Sequence, residues 1–369
     1  MTTMEDQIIS TPDLLTGSSI TNTNGKPHNW YFQFRRALTL VLLALCAIIV
    51  YFQRLCPAVV ASQLAAEYHV NTTELGVFTS VFYYPYSILQ IFSGVLADVM
   101  EPSLLMGVST IIGSIGAIIF GLSKSIFVGS IGRLLVGIGC APIAVPLNRI
   151  LMNWFHLQYF SRVFGIFFIF SNCGSFLAQT PLTLLSEAIG WRKCFYCISG
   201  ISFALAILVI LFVRGNPVSL GFSAVNPSLA ADLKHVSIQQ RIRILFSTLR
   251  DIVTTPTFWN LAIFAFCENG AYFNLAGLWG EPFLRECLGF SSVKASNALM
   301  GLSLGMSFSS LLLPLLVEKV TKSKKWTMFG GLLFAIISCI PFIVMKGNMN
   351  FWLVLFLFIV ISNTTVGLV

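Results

Sequence analysis

Ten long apolar stretches divide the chain from Arg36 to its last residue, Val369. They run roughly over 37–60, 74–97, 104–122, 127–147, 163–185, 194–213, 257–282, 295–317, 326–345 and 350–369. A hydrocarbon core of about 30 Å takes roughly 20 apolar residues of helix. Backbone groups in lipid must be satisfied within their own segment. The pattern therefore predicts an all-α polytopic membrane protein with a helix on each stretch. Polar positions subdivide it. Residues 1–35 read as a disordered cytoplasmic tail; 1–25 are rich in Ser, Thr and Asn and lack the basic start and apolar run of a signal peptide. Residues 36–213 hold six closely spaced spans. Residues 214–255 form a linker with Arg214, Lys234, Arg241, Arg243 and Arg250, and 256–369 hold four further spans. Six helices, a basic linker and more helices is the layout of a two-bundle transporter. A second bundle matching the first needs two more spans. The apolar run reaching Val369 thus predicts an incomplete, four-helix second bundle, a reduced ten-span protein being the alternative.

Composition narrows the function classes. The chain is 56% hydrophobic and 10% charged, more apolar surface than a soluble fold can hide. Its net charge of +8 does not indicate nucleic-acid binding, because the basic residues lie in loops, where they set topology. With the N-terminus in the cytoplasm, basic residues favour the cytoplasmic side by about two to one. The Asn71-Thr72-Thr73 sequon then falls in the first external loop. A plasma-membrane protein is expected. Cys194 and Cys197 form a C-x-x-C without partner ligands, and His28, His69, His156 and His235 lie in tails or loops. No metal site, cofactor or intramembrane zinc enzyme is therefore expected. Nor is an ATP-driven pump, since no G-x-x-x-x-G-K-[ST] loop occurs.

Three ionisable residues fall well inside spans: Arg54, Arg133 and Glu268. Each costs a few kcal/mol or more to expose to lipid, so each should face the bundle interior. Arg54 lies roughly 27 Å along the helix from Arg36. Arg54 suits an anionic substrate, since a guanidinium fork matches carboxylate and phosphate; the competing reading has it snorkel to the external surface. Arg133 reads as a substrate contact or an organiser of helix packing. Glu268, beside Asn269 and one turn before Tyr272, is a candidate proton carrier, because burial favours a neutral carboxyl. The alternative is a static ion pair. Tyr83, Tyr86 and Gln90 follow helical spacing on one face, and Asn148, Asn172 and Gln179 add hydrogen-bonding groups. These are candidate cavity residues, or packing surface. Gly107, Gly113 and Gly116 with Gly129, Gly132, Gly137 and Gly139 predict close helix packing.

The chain resembles the major facilitator superfamily. Gly94-Val-Leu-Ala-Asp98 is similar to that family's G-x-x-x-D signature between spans 2 and 3, though Val99, Met100 and Glu101 stand where basic residues usually follow. Arg133-Leu-Leu-Val-Gly137-Ile-Gly139, Gly190-Trp191-Arg192 and Gly277-Leu-Trp279-Gly280-Glu281-Pro282 also resemble family segments, and Glu318-Lys319 sits where the signature should repeat. Tyr51-Phe52-Gln53-Arg54 with Pro57 is similar to the anion:cation symporter branch. The resemblance implies a major facilitator-type fold and a monomer working by alternating access. It implies a small-molecule substrate, an organic anion such as a carboxylate, sugar acid or phosphorylated compound, coupled to a proton or sodium ion. It implies gating roles for Asp98 and Glu318, with the basic half of the Asp98 lock absent. A transporter-like protein without transport activity, and a facilitator of a neutral solute, are the alternatives.

Overall fold

The structure, a computed structural model, describes residues 29–227, 238–316, 320, 322–345 and 349–362. Helices α1 (Asn29–Val59), α2 (Ala61–Tyr68), α3 (Thr72–Ser80), α4 (Tyr83–Val99), α5 (Pro102–Leu122), α6 (Ile126–Cys140), α7 (Ala144–Trp154), α8 (Leu157–Leu177), α9 (Thr180–Ile189) and α10 (Trp191–Phe212) make the first part. The linker contributes α11 (Ile238–Thr254). Then follow α12 (Pro256–Asn274), α13 (Gly280–Glu286), α14 (Ser292–Leu316), α15 (Lys324–Val344) and α16 (Phe351–Ser362).

Among the described residues, seven helical runs are long and apolar enough to cross a membrane: Trp30–Val59, Thr73–Val99, Pro102–Leu122, Ile126–Trp154, Leu157–Ile189, Trp191–Phe212 and Lys325–Val344. Three expected spans differ. Over 257–282 the helix is interrupted by a five-residue π-turn, Leu275–Trp279, between α12 and α13. α14 covers the described part of the 295–317 stretch, to Leu316, but buries Ser296, Ser303 and Ser309. The last stretch is described only to Ser362.

Local signals place the breaks. Pro142 sits in a short 3₁₀ turn, Ala141–Ile143, that separates α6 from α7. Asn71 caps α3 in a reciprocal capping box: its side chain accepts from the Glu74 N–H, and the Glu74 carboxylate from the Asn71 N–H, both at 2.9 Å. The sequon's Asn71 is thus a helix cap. α5 and α6 touch backbone to backbone. A Cβ on Gly139 would lie 2.4 Å from the Gly113 nitrogen, which only glycine permits.

Two apolar clusters hold the fold. One lies at the end bearing Asp98 and joins Phe32, Ile150, Trp154 and Val209 to Phe222 of the linker. The other lies toward the opposite end and joins Leu55, Phe120 and Trp191 to Leu284, Leu299 and Phe358 of the second part. Polar contacts between the two parts concentrate at that opposite end: Arg285 Nη1 donates to Ser62 Oγ at 3.0 Å, Thr180 to Asn297 at 2.5 Å, and Thr183 shares a 2.7 Å bond with Ser296.

Candidate functional site

The centre of the first part is built around two guanidiniums. α1 carries Arg54 past mid-length, and its side chain turns inward to donate from Nη2 to the Tyr86 hydroxyl on α4. Aromatic faces surround it: its guanidinium carbon lies 4.6 Å from the ring centre of Tyr86, 5.5 Å from Tyr51 and 5.7 Å from Phe273 on α12. Such faces attract a cation through the ring quadrupole, and more strongly away from water. Arg133, on α6, is 1% exposed. It donates from Nη1 to the Gln53 carbonyl at 3.0 Å and lies 4.9 Å from the Phe82 ring centre. Phe82 stacks on Tyr86, so the two arginines share one aromatic wall.

Among the described residues neither arginine has a carboxylate partner. The Nε of each is buried without an acceptor. A charge taken out of water, wholly for Arg133 and partly for Arg54, is normally paired, so among the described residues both are short of negative charge. A cavity of about 130 Å³ opens beside them, lined by Tyr51, Arg54, Tyr86, Cys140, Asn148 and Ser171 among apolar neighbours. A second cavity, of about 550 Å³, lies between α4 and α12, with Tyr83, Ser87, Asn269, Phe273 and Trp279 on its walls. Tyr83 and Phe273, whose ring centres are 6.0 Å apart, stand between this space and Arg54.

The structure therefore brings together Arg54, Tyr86, Tyr83, Arg133 and Asn148. Tyr272 joins them through Phe273; its ring is 6% exposed and its hydroxyl turns toward Ser303 and Ser175. None of these three hydroxyls completes a hydrogen bond of good geometry. Asn269 is exposed, borders the larger cavity and donates to its own helix at Ala265 O. Gln90 is half-buried, a turn beyond Tyr86 toward Asp98, and lines neither cavity. Asn172, inside α8, and Gln179, at the break between α8 and α9, are fully buried and line neither cavity; Asn172 Oδ1 and both polar atoms of Gln179 lack partners. Glu268 falls on α12, but its side chain lies outside the described residues, as does the whole of Glu318.

At the Asp98 end one expectation is corrected. The basic half of the lock is present, supplied from elsewhere in the chain. Arg149 of α7 donates to Asp98 Oδ1 at 2.6 Å, and Arg241 of the linker helix lies 3.6 Å from Oδ2. Glu101 follows where a basic residue was expected. It caps α5 at the Leu104 N–H and also accepts the Gly215 N–H at 2.7 Å, tying the linker's start to the hairpin. At the opposite end Glu67 receives Arg192 and the Trp191 indole, the latter at 2.7 Å.

Sequence reasoning missed other elements. Tyr51, Phe82 and Phe273 complete the arginine enclosure; helical spacing from Arg54 and Tyr86 signals the first two, and only the fold brings in Phe273. Glu281 is 1% exposed and pairs with Arg285 at 3.1 Å, an i,i+4 spacing readable in the chain.

The Major Facilitator Superfamily profile matches residues 43–369. The chain belongs to that superfamily. Similar proteins include a "probable hexose phosphate transport protein" of Chlamydia muridarum, 26% identical over 304 residues, covering 78% of this chain and 66% of the relative. A "probable L-galactonate transporter" of Escherichia coli is 27% identical over 65% of this chain and 53% of its own. A "probable sulfoacetate transporter SauU" of Cupriavidus necator is 25% identical over 49% and 42%. The chain thus spans under two thirds of the length of these relatives. Among solved structures, a bacterial homolog of the human lysosomal transporter Spinster, inward-facing and unoccupied, superposes with a TM-score of 0.71 at 23% identity, over 89% of this chain and 73% of its own. That likeness concerns the fold.

Proposed function

We propose that this superfamily member carries a small organic anion, a sugar acid or a phosphorylated sugar, across the plasma membrane by proton- or sodium-coupled alternating access. The observation that carries the proposal is the pair of enclosed guanidiniums, Arg54 and Arg133, with no carboxylate opposite them among the described residues. An anion entering beside Arg54 supplies the missing charge, and charge-assisted hydrogen bonds to a desolvated arginine contribute about 1.5–3 kcal/mol each. Tyr86, Tyr83, Asn148 and Tyr272 offer hydroxyl and amide groups to the rest of the solute. The names of the similar proteins, which include hexose phosphate, galactonate and sulfoacetate transporters, support an anionic cargo.

The chain works as a monomer, with six helices packed in the first bundle and 256–369 contributing to the second. The N-terminus and the 214–255 linker lie in the cytoplasm, which the excess of basic residues on that side supports. The end closed by Arg285–Ser62 and Thr180–Asn297 is then external. Asp98 with Arg149 and Arg241 gates the cytoplasmic side together with Glu318, and Glu268 carries the coupling proton. Uptake by the reconstituted chain tests this. Sugar phosphates or sugar acids should be taken up and neutral sugars excluded. Glu268→Gln should keep exchange and lose accumulation driven by a pH gradient. Preference for a neutral or cationic solute would overturn the assignment.

A further inference from the structure

The linker helix α11 has a use that transport does not require. At 100° per residue, Ile242, Leu245, Phe246, Leu249, Ile252 and Val253 fall within one arc of roughly 120°. Arg241 borders that arc on one side and Arg243 and Arg250 on the other, while Ser247, Asp251 and Thr254, with one exposed apolar residue, Ile244, lie farther round. The apolar arc is open: Ile242, Phe246, Ile252 and Val253 are 39%, 56%, 40% and 45% exposed. An apolar strip flanked by arginines is the pattern of a helix lying in the plane of a membrane interface.

Both ends of α11 are held beside the ends of bundle helices. Its last residue, Thr254, is two positions before Pro256, where the next bundle helix begins. Trp259, half-exposed, donates its indole N–H to the Val253 carbonyl at 2.8 Å, and Trp at such a junction favours the headgroup layer. Near its start, Arg241 reaches Asp98 at the end of the Thr73–Val99 span. A helix tethered at that depth at both ends runs along the surface. Its three arginines against one aspartate select negative headgroups.

We propose that α11 is a docking surface for anionic phospholipid. Its apolar face is immersed among acyl chains, and Arg243 and Arg250 rest on headgroup phosphates. This needs neither a particular transmembrane orientation nor transport activity, because a vesicle of uniform composition presents the same lipid on both faces.

The test uses the whole chain in vesicles of phosphatidylcholine alone or mixed with phosphatidylglycerol. Phe246→Cys and Ser247→Cys are labelled with a water-soluble maleimide and read peptide by peptide, so the native cysteines can stay. With phosphatidylglycerol present, Phe246→Cys should react about tenfold more slowly than Ser247→Cys, as expected for a side chain sunk below the headgroups. A photoactivatable lipid should mark position 246 and spare 247. Arg243→Gln and Arg250→Gln should each weaken the dependence on anionic lipid by about fivefold. Equal maleimide rates at 246 and 247 would overturn the proposal. So would protection at 246 without lipid labelling, which would mean that a second copy or another helix of this chain covers the face. Identical behaviour with and without phosphatidylglycerol would remove the anionic selectivity.

Discussion

Arginines at the two ends of the first part contrast with those at its centre. Arg149, Arg241 and Arg192 sit at the ends, partly exposed, each beside a carboxylate: Asp98 for the first two, Glu67 for the third. Arg54, half-buried, and Arg133, fully buried, lie inside apolar spans, where a charge is costly, and meet aromatic faces, a tyrosine hydroxyl and a backbone carbonyl instead. If these five arginines were only structural, pairing would be densest where water is scarcest. The reverse arrangement fits ends that are closed electrostatically and a centre left open to an anion.

Supplying the centre with an acid, which none of its described residues provides, should erase the contrast. Cys140 is buried, lines the smaller cavity and lies within electrostatic reach of both arginines. Cys140→Asp should cost anion affinity about 100-fold or more, the equivalent of roughly two charge-assisted hydrogen bonds, while Cys140→Asn should cost far less. Ligand-binding isotherms on the two variants check this. Arg54→Lys keeps the charge and loses the planar fork, so affinity should fall about tenfold with folding unaffected. A matching melting temperature separates the two effects.

The ends should behave in the opposite way. Asp98→Asn removes the shared partner of Arg149 and Arg241. Both pairs are partly exposed, so the expected loss of stability is about 1 kcal/mol or less, with anion affinity unchanged. Thermal unfolding beside a binding isotherm reads both. Removing Asp98 should also free the start of the linker helix, seen as faster hydrogen exchange around Arg241.

Glu67 should give the smallest effect. Burial pushes its carboxyl up, but hydrogen bonds from Arg192 and Trp191 and the charge of Arg192 outweigh that and hold it below the usual carboxylate value. A depressed folded value means the contact contributes fully above the unfolded pKa and is lost as pH falls through the folded one. Wild type should therefore lose part of its stability margin over Glu67→Gln only as pH drops below about 4.3. Parallel pH-dependent melts that never converge would contradict this.

Much of this contrast could be read in the chain. Hydropathy alone isolated Arg54 and Arg133 inside spans, because a lone charge in an apolar run is too costly to leave facing lipid. The glycines of α5 and α6 announced their close approach. The ion pairs of Asp98 were not legible, since Arg149 and Arg241 lie 51 and 143 residues away and only the fold brings them in. Asn71 was read only as part of a sequon, although the Glu three positions on carries the signal of the capping box that the structure shows. The π-turn at Leu275–Trp279 left no periodic signal, because one extra residue per turn over five residues is lost within a uniformly apolar stretch. Glu281 was overlooked because it sits at the margin of its span, where a charge is commonplace; only its packing shows it to be enclosed.

Arg54 and Arg133, without a carboxylate partner among the described residues, are proposed to hold an anion. Calorimetric titration of the purified chain with a hexose phosphate and with the matching neutral hexose tests it most directly, in wild type and in Arg54→Gln. Binding is expected of the phosphorylated sugar alone, and is expected to be lost in Arg54→Gln with the protein still folded. Equal binding of the neutral hexose, or full retention of phosphate-ester binding in Arg54→Gln, would contradict it.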